Sequence, residues 1–179
     1  MVVLATNIVF ILVSVLIISS LIIFLITGNT PTITTPSKST EKIVNNLHLK
    51  KGEIFVDFGC GFGGFLCKIS KRFPETNFVG LENSLLAFLI SKVRFLFGVK
   101  NVDIKFMNFF DYDLSNVDHV YLWIFVKDLD KLKEKFEKEL KKGSKVYLLD
   151  FPFAGKEPKN TLKINQSKSF GHTLFTYEF

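Results

Sequence analysis

"FVDFGCGFGG", residues 55–64, combines a short apolar run with a glycine-rich loop. Apolar residues run directly into a loop that has glycine at positions 59, 61, 63 and 64. Glycine adopts backbone dihedrals that other residues avoid, and it lets a ligand come close to the main chain. The stretch therefore predicts a buried strand, a ligand-binding loop and the start of a helix.

The loop fits two glycine patterns that bind different ligands. Gly59, Gly61 and Gly64 satisfy G-x-G-x-x-G, which is typical of dinucleotide sites. When the pattern is counted from Asp57, the same loop satisfies D-x-G-x-G-x-G with its third glycine at Gly63. A carboxylate at position 57 would repel a pyrophosphate, but it would attract the sulfonium and ammonium groups of S-adenosylmethionine. Charge therefore favours S-adenosylmethionine as the cofactor.

Further polar residues follow the next two predicted strands. Glu82 ends the second strand, where a carboxylate can accept hydrogen bonds from both ribose hydroxyls of either type of cofactor. Asn108 follows the third strand and can hydrogen-bond an adenine edge, while Phe109 offers its backbone N–H and its ring. Open α/β sheets bind ligands at the carboxyl ends of their strands, so we expect these residues to meet Asp57 at one site.

The rest of the chain alternates apolar strands with amphipathic helices. The predicted strands cover residues 53–58, 77–81, 103–107, 117–126 and 145–151, and the predicted helices begin at Thr35 or Ser37 and cover 63–73, 83–97 and 127–142. This order predicts an α/β fold with a parallel sheet that is covered on both faces. Residues 161–167 and 173–179, around Gly171, predict an antiparallel hairpin at one edge.

The first part of the sequence is almost entirely apolar. Residues 8–26 read IVFILVSVLIISSLIIFLI, and a helix of that length matches a hydrocarbon core of about 30 Å. A cleavable signal peptide is the alternative, but there is no basic start and no A-x-A site. We expect a transmembrane anchor over 1–27, a linker over 28–35 and a folded domain over 36–179. Lys38 and Lys42 follow the span and favour a cytoplasmic domain.

The composition argues against several classes of partner. The net charge is +6, but the lysines are dispersed and many lie in one predicted amphipathic helix, so we expect a solvated face and no nucleic-acid partner. Cys60 and Cys67 have no CxxC spacing and no histidine pair beside them, so we expect neither a disulfide nor a metal site. The scattered histidines are assigned no role.

On these motifs, residues 52–151 resemble the core of a class I S-adenosylmethionine-dependent methyltransferase. More narrowly, the chain is similar to a family of small membrane-associated methyltransferases, whose mitochondrial members methylate lysines of the adenine nucleotide translocase and of the ATP synthase c subunit. The segments that carry the resemblance are the apolar span, the Thr/Pro segment before the first strand, "VDFGCGFGG", "FVGLEN", "NFFDYDLSNVDHVYLW" and "LKKGSKVYLLDFPFAG".

The resemblance implies a Rossmann-like sheet preceded by one transmembrane helix, and S-adenosylmethionine as the cofactor. The implied cofactor-binding residues are Asp57, Gly59, Cys60, Gly61, Gly63, Glu82, Asn108 and Phe109. The segment that includes Thr35 and Pro36 is implied to close over the pocket. The chain departs from the family at two positions. Asn108 stands where the family commonly has an acidic residue, and Val126 stands where it usually has a proline.

Methyl transfer from a sulfonium requires mainly that a neutral amine be positioned and that water be excluded, so we nominate no general base. Tyr121, Trp123 and Phe125 follow one another at alternate positions of the fourth predicted strand and, with Thr35 and Pro36, are candidates for a substrate channel. We expect a membrane-anchored protein-lysine N-methyltransferase that acts on a membrane protein. The alternatives are a methyltransferase of a lipid, quinone or other small molecule, and an inactive cofactor-binding module at the membrane.

Overall fold

The computed structural model describes residues 6–7, 10–15, 17–19, 34–96, 99–124, 126–165 and 171–179. The chain divides into two compact units, Met1–Pro31 and Thr32–Phe179. The described residues of the first unit are helical. Much of the predicted span over 8–26 lies outside the described residues, and no helix within the described ranges is long and apolar enough to cross a membrane. The predicted boundaries of anchor, linker and domain stay predictions.

Within its described residues, the second unit is built on a seven-stranded sheet with four helices packed on it. The strands are β1 (Ile54–Phe58), β2 (Asn77–Glu82), β3 (Val102–Phe106), β4 (His119–Leu122), β5 (Lys145–Leu149), β6 (Asn160–Lys163) and β7 (Thr173–Glu178). The helices are α1 (Ser37–Asn46), α2 (Gly64–Arg72), α3 (Leu85–Leu96) and α4 (Leu129–Glu139), with short 3-10 turns at Phe109–Asp111 and Val126–Asp128.

The strand order is β3-β2-β1-β4-β5-β7-β6. Strands β1 to β5 pair in parallel, and β7 runs antiparallel to both β5 and β6. The predicted α/β sheet with an antiparallel C-terminal hairpin is therefore confirmed. One predicted strand, over residues 117–126, is wrong in length, because only His119–Leu122 joins the sheet and the chain then turns into the 3-10 segment Val126–Asp128.

Two hydrophobic clusters fill the two faces of the sheet. Side chains of α1, α2 and α3 pack on one face against Phe55 and Tyr121, and side chains of α4 pack on the other against Val56 and Phe58. Alternation along β1 sends Phe55 and Val56 to opposite faces. The sheet and both clusters lie within Thr32–Phe179.

The parallel register brings the carboxyl ends of β1, β2 and β4 side by side. Asp57 of β1 is level with Gly80 of β2 and with Tyr121 of β4. Glu82 is the last residue of β2. The loops that follow these strands therefore meet at one edge of the sheet, where open α/β folds bind their ligands.

Candidate active site

The loop after β1 is held in a conformation that glycine makes possible. Gly59, Gly61 and Gly63 have φ of 74°, 55° and 72°, in the left-handed region that other residues rarely adopt. The backbone N–H groups of Gly59 and Cys60 both donate to the carbonyl oxygen of Leu81, at 2.9 and 3.0 Å. These bonds fasten the loop to the end of β2, and α2 begins directly after it.

A pocket lies over this loop and collects many of the predicted site residues. Its lining is formed by Thr34, Thr35, Asp57, Gly59, Cys60, Gly61, Phe62, Gly64, Phe65, Tyr121 and Trp123. Four predicted cofactor-binding residues and three predicted channel residues are therefore neighbours. The predicted residues Pro36, Gly63, Glu82, Asn108 and Phe109 are not part of this lining. Phe125, the remaining channel candidate, lies outside the described residues.

Asp57 is the most unusual group in the pocket. Its side chain is buried, with only 3% of its surface exposed. Burial, together with the negative charge of Glu82, raises the pKa of the Asp57 carboxyl well above its usual value. No described lysine, arginine or histidine contributes to that shift. A buried carboxyl without a cation beside it suits a ligand that brings a positive charge, and a sulfonium or an ammonium group does so.

Glu82 shapes the loop in addition to any role toward a ligand. One carboxylate oxygen accepts the backbone N–H of Gly61 at 2.8 Å, and the other accepts the backbone N–H of Ser84 at 2.8 Å. The side chain is 6% exposed. Each carboxylate oxygen has a further acceptor position, so these bonds leave room for the predicted ribose hydroxyls. The sequence does not indicate this contact, because nothing in the spacing of Gly61 and Glu82 points to it.

Asn108 and Phe109 begin the 3-10 turn after β3. The Asn108 side-chain oxygen accepts the backbone N–H of Phe110 at 3.1 Å. The Phe109 ring stacks on Phe58, with the ring centroids 5.2 Å apart and the planes at 16°. The Asn108 oxygen and the Phe109 ring thus have partners within the protein, and the Asn108 amide group is the part suited to an adenine edge.

The N-terminal segment before α1 is joined to the pocket through Tyr121. The hydroxyls of Thr35 and Tyr121 lie 3.2 Å apart, and Tyr121 stacks on Phe65 with a centroid distance of 4.1 Å. Burial raises the pKa of the Tyr121 hydroxyl far above its usual value, so the group stays protonated. Pro36 directly precedes α1, and its carbonyl oxygen accepts the backbone N–H of Thr40. Thr34 and Thr35 thus line the pocket, whereas Pro36 does not, and closure of this segment over a cofactor stays a prediction.

Two features of the site region were not predicted. Phe65 is not singled out by any motif in the sequence, yet it stacks on Tyr121 and lines the pocket. Asp150, after β5, has a φ of 70°, and its carboxylate accepts the backbone N–H groups of Gly171 and His172 at 2.6 and 2.8 Å. The Gly171 carbonyl in turn accepts the Ser39 hydroxyl at 2.8 Å. Asp150 thereby connects the end of β5 to α1.

The described residues include no group of three or more His, Cys, Asp or Glu side chains arranged for a metal ion.

Burial raises the pKa of the Cys60 thiol, and the negative charges of Asp57 and Glu82 raise it further. The thiol therefore stays neutral and is a poor nucleophile. The pocket offers a cationic ligand one buried carboxyl, a glycine loop with little side-chain bulk and aromatic walls.

Comparisons with known proteins agree with this geometry. The family model of the ANTKMT methyltransferase domain matches residues 57–160. A protein-lysine N-methyltransferase of Saccharolobus islandicus is 28% identical over 156 residues, which cover 82% of this chain and 92% of that protein. The range matched by the family model begins at Asp57 and therefore includes the glycine loop and strands β2 to β5.

Solved structures share the architecture at lower identity. An RNA methyltransferase from Salinibacter ruber, in complex with S-adenosyl-L-homocysteine, has a TM-score of 0.72 at 18% identity and covers 82% of this chain and 93% of its own. A precorrin-6y C5,15-methyltransferase from Geobacter metallireducens has a TM-score of 0.58 at 17% identity, covering 70% of this chain and 68% of its own. These likenesses establish the fold, a class I methyltransferase sheet.

Proposed function

The chain belongs to the ANTKMT methyltransferase domain family, and from this membership we propose that it is a protein-lysine N-methyltransferase that acts on a membrane protein. Its reaction is methyl transfer and its cofactor is S-adenosylmethionine. The observation that carries the proposal is the buried Asp57 carboxyl, which faces the pocket over the glycine loop with no described cation beside it. The lysine target is supported by the Saccharolobus relative, which is named for that activity.

The residues present fit the cofactor. Asp57 would attract its positive charge, and Glu82 would accept hydrogen bonds from its ribose hydroxyls. The backbone of Gly59 and Gly61 permits close approach, because neither residue has a side chain to obstruct it. When bound, S-adenosylmethionine supplies an electrophilic methyl group carried on a sulfonium.

The chain's own residues prepare the methyl acceptor. Phe65, Tyr121 and Trp123 line the pocket with aromatic surface, which excludes water and orders an alkyl chain. Burial of a lysine amine in such surroundings lowers its pKa, so that the neutral and nucleophilic form is populated. The Tyr121 hydroxyl is protonated and paired with Thr35, so it can donate a hydrogen bond but cannot take up a proton. We assign the proton of the amine to solvent before transfer.

The choice of a membrane protein as substrate rests on the apolar run over residues 8–26. A linker over 28–35 reaches at most about 28 Å when fully extended. A domain on such a tether gains effective concentration toward acceptors in the same membrane and loses access to most soluble ones. The lysines that follow the span favour the cytoplasmic side for the domain. The proposed acceptor is therefore a lysine in a juxtamembrane segment of an integral protein.

The test is to incubate the full chain with detergent-solubilised membranes and methyl-labelled S-adenosylmethionine, and to separate protein from organic extract. We expect label in protein, and much less label with Asp57→Asn. Label that appears only in the organic extract would identify a lipid or quinone acceptor and overturn the proposal. Cofactor binding without any transfer of label would identify an inactive module.

A further inference from the structure

Helix α3 exposes an apolar surface that packing within the described residues does not cover. The exposed side chains are Leu85, Leu86, Leu89, Ile90, Val93 and Leu96, joined by Phe106 at the end of β3. We call this set the α3 surface. Val93 and Leu96 are 67% and 68% exposed. Within the described part of Thr32–Phe179, every exposed large hydrophobic side chain belongs to the α3 surface.

The two faces of α3 are reversed relative to an ordinary amphipathic helix. A helix on a soluble domain turns its apolar face toward the core. Helix α3 instead buries Ala87, Ser91 and Phe95, two of which are small, and turns its leucines outward. Contiguous exposed apolar patches of this kind mark interaction sites, because leaving them in water is unfavourable.

Basic residues outnumber acidic ones in the segment that contains the α3 surface. The segment 85–106 has four of them, Lys92, Arg94, Lys100 and Lys105, and a single acidic residue, Asp103. Asp103 lies between two lysines, 3.3 Å from the Lys92 ammonium and 3.8 Å from that of Lys105. The surroundings are therefore net positive. Apolar side chains flanked by lysine and arginine match the boundary between acyl chains and anionic headgroups of a bilayer.

A second copy of the chain fits this surface less well. Two copies that paired through α3 would bring two positive borders together, and like charges across an interface are unfavourable. An anionic bilayer instead offers opposite charge to the lysines and an apolar layer to the leucines. Charge complementarity thus favours lipid as the occupant.

The α3 surface belongs to a helix that contacts the glycine loop. The Arg94 side-chain Nε donates to the Phe62 carbonyl oxygen at 2.7 Å. A Cβ atom built on Gly63 would lie 2.7 Å from the Phe95 ring, so helix and loop are in close contact. Phe62 also lines the pocket. A bilayer that bound α3 would therefore lie close to the pocket.

We propose that the α3 surface is a second membrane contact, which docks the catalytic domain on an anionic lipid bilayer. It inserts its leucines into the interfacial layer, while Lys92, Lys100 and Lys105 meet the headgroups. The contact holds the pocket near the membrane, and it deepens the proposed function by limiting acceptors to residues close to the bilayer. In that respect it rests on the proposed function.

Flotation of residues 32–179 with lipid vesicles tests the proposal, since this unit contains the whole sheet and both core clusters. The vesicles are phosphatidylcholine alone or phosphatidylcholine with phosphatidylglycerol. We expect binding to the anionic vesicles that weakens as salt is added. The double variant Leu89→Ser/Val93→Ser is expected to lose at least about tenfold in binding. Lys100→Gln/Lys105→Gln is expected to lose binding to the anionic vesicles.

The matched control is Lys131→Gln/Lys138→Gln, which removes the same charge from the exposed side of α4 and is expected to bind as the unaltered unit does. Circular dichroism melting checks that each variant is folded. If the shortened unit does not fold, hydrogen exchange of residues 85–96 is compared for the full chain in nanodiscs of the two lipid compositions. Slower exchange in the anionic nanodiscs is expected.

The proposal is overturned if the unit binds neither type of vesicle, or if Leu89→Ser/Val93→Ser binds as tightly as the unaltered unit. It is also overturned if hydrogen exchange of residues 85–96 is the same in both nanodisc compositions. Sedimentation that shows a dimer of the unit, abolished by Leu89→Ser/Val93→Ser, would assign the surface to a second copy. Flotation needs neither cofactor nor methyl acceptor. Its failure is thereby distinguishable from failure of the proposed lysine methylation, which the labelling experiment reports.

Discussion

At the scale of single residues, Asp57 combines a cost in stability with a gain in binding. The folded chain buries its carboxyl beside Glu82, and both the burial and that charge disfavour ionisation. A cationic ligand offsets the repulsion from Glu82, because it brings a positive charge next to the Asp57 carboxyl. The described residues provide no such charge. The site is therefore expected to be more stable with its cofactor than without it.

Asp57→Asn tests this balance. The amide keeps the shape of the side chain but cannot ionise, so the unliganded domain is expected to melt at a higher temperature than the unaltered one. Affinity for S-adenosylmethionine is expected to fall about 10- to 100-fold, in line with about 1–3 kcal/mol for a lost bond to a charged group. Calorimetry measures both quantities. A variant that binds as tightly as the unaltered chain would remove Asp57 from the site.

The raised pKa of Asp57 also predicts how pH acts. Between the unfolded value of about 4 and the raised folded value, the folded chain binds more protons, so stability falls as pH rises through this window. Affinity for the cationic cofactor changes in the opposite direction, because ligand binding favours the ionised carboxylate. Calorimetric titrations at a series of pH values are expected to show tighter binding as pH rises, and Asp57→Asn is expected to lose that slope.

At the scale of elements, the glycine loop and α3 depend on each other. A Cβ atom at Gly63 would lie 2.7 Å from the Phe95 ring of α3, whereas one at Gly59 would meet no atom within 4 Å. Both residues have positive φ, so both alanine variants bear a similar backbone cost of about 1–2 kcal/mol. Only at Gly63 is a steric conflict added.

Gly63→Ala is therefore expected to destabilise the domain more than Gly59→Ala, by displacing Phe95 and with it α3. Gly59→Ala is expected to act mainly on the cofactor, since its new methyl group would occupy space next to the pocket. Thermal melting ranks the two variants for stability, and cofactor titration ranks them for binding. Equal destabilisation of both would mean that the contact between the loop and α3 contributes little.

The sequence pattern predicts most of the strands and helices, but not the length of every one. Alternating periodicity places β1 to β5, the helices and the final hairpin, and the charge of Asp57 indicates the type of cofactor. The strand over 117–126 is predicted too long because Trp123, Ile124 and Val126 continue its apolar run after the chain has left the sheet. Apolar residues are recognisable in a sequence, but the surface that covers them is not.

The α3 surface and the Glu82 contact with Gly61 illustrate that limit. Helical spacing in 83–97 predicts a packed helix, and only the structure shows that its leucines face outward. The hydrogen bond from the Gly61 N–H to Glu82 joins the loop after β1 to the last residue of β2, and its existence depends on the register of these strands. Contacts of this kind follow from the assembled sheet.

At the scale of the whole molecule, an apolar N-terminal segment precedes a methyltransferase domain. Deletion of residues 1–27 is expected to leave the affinity for S-adenosylmethionine unchanged, because all the residues that line the pocket lie in the second unit. Methylation of the acceptor in cells is expected to fall sharply, because the tether is lost. If the shortened chain methylates the acceptor as well as the full chain does, residues 1–27 serve only as a targeting signal or a cleaved segment.

In the proposed reaction, this pocket delivers a methyl group to a lysine of a membrane protein. Mass spectrometry of membranes treated with the full chain and with S-adenosylmethionine carrying a deuterated methyl group tests it most directly. We expect deuterated methyl groups on lysine side chains of integral membrane proteins, and far fewer after treatment with Asp57→Asn. Deuterated methyl groups found only in lipids, only on soluble proteins or on residues other than lysine would contradict the account.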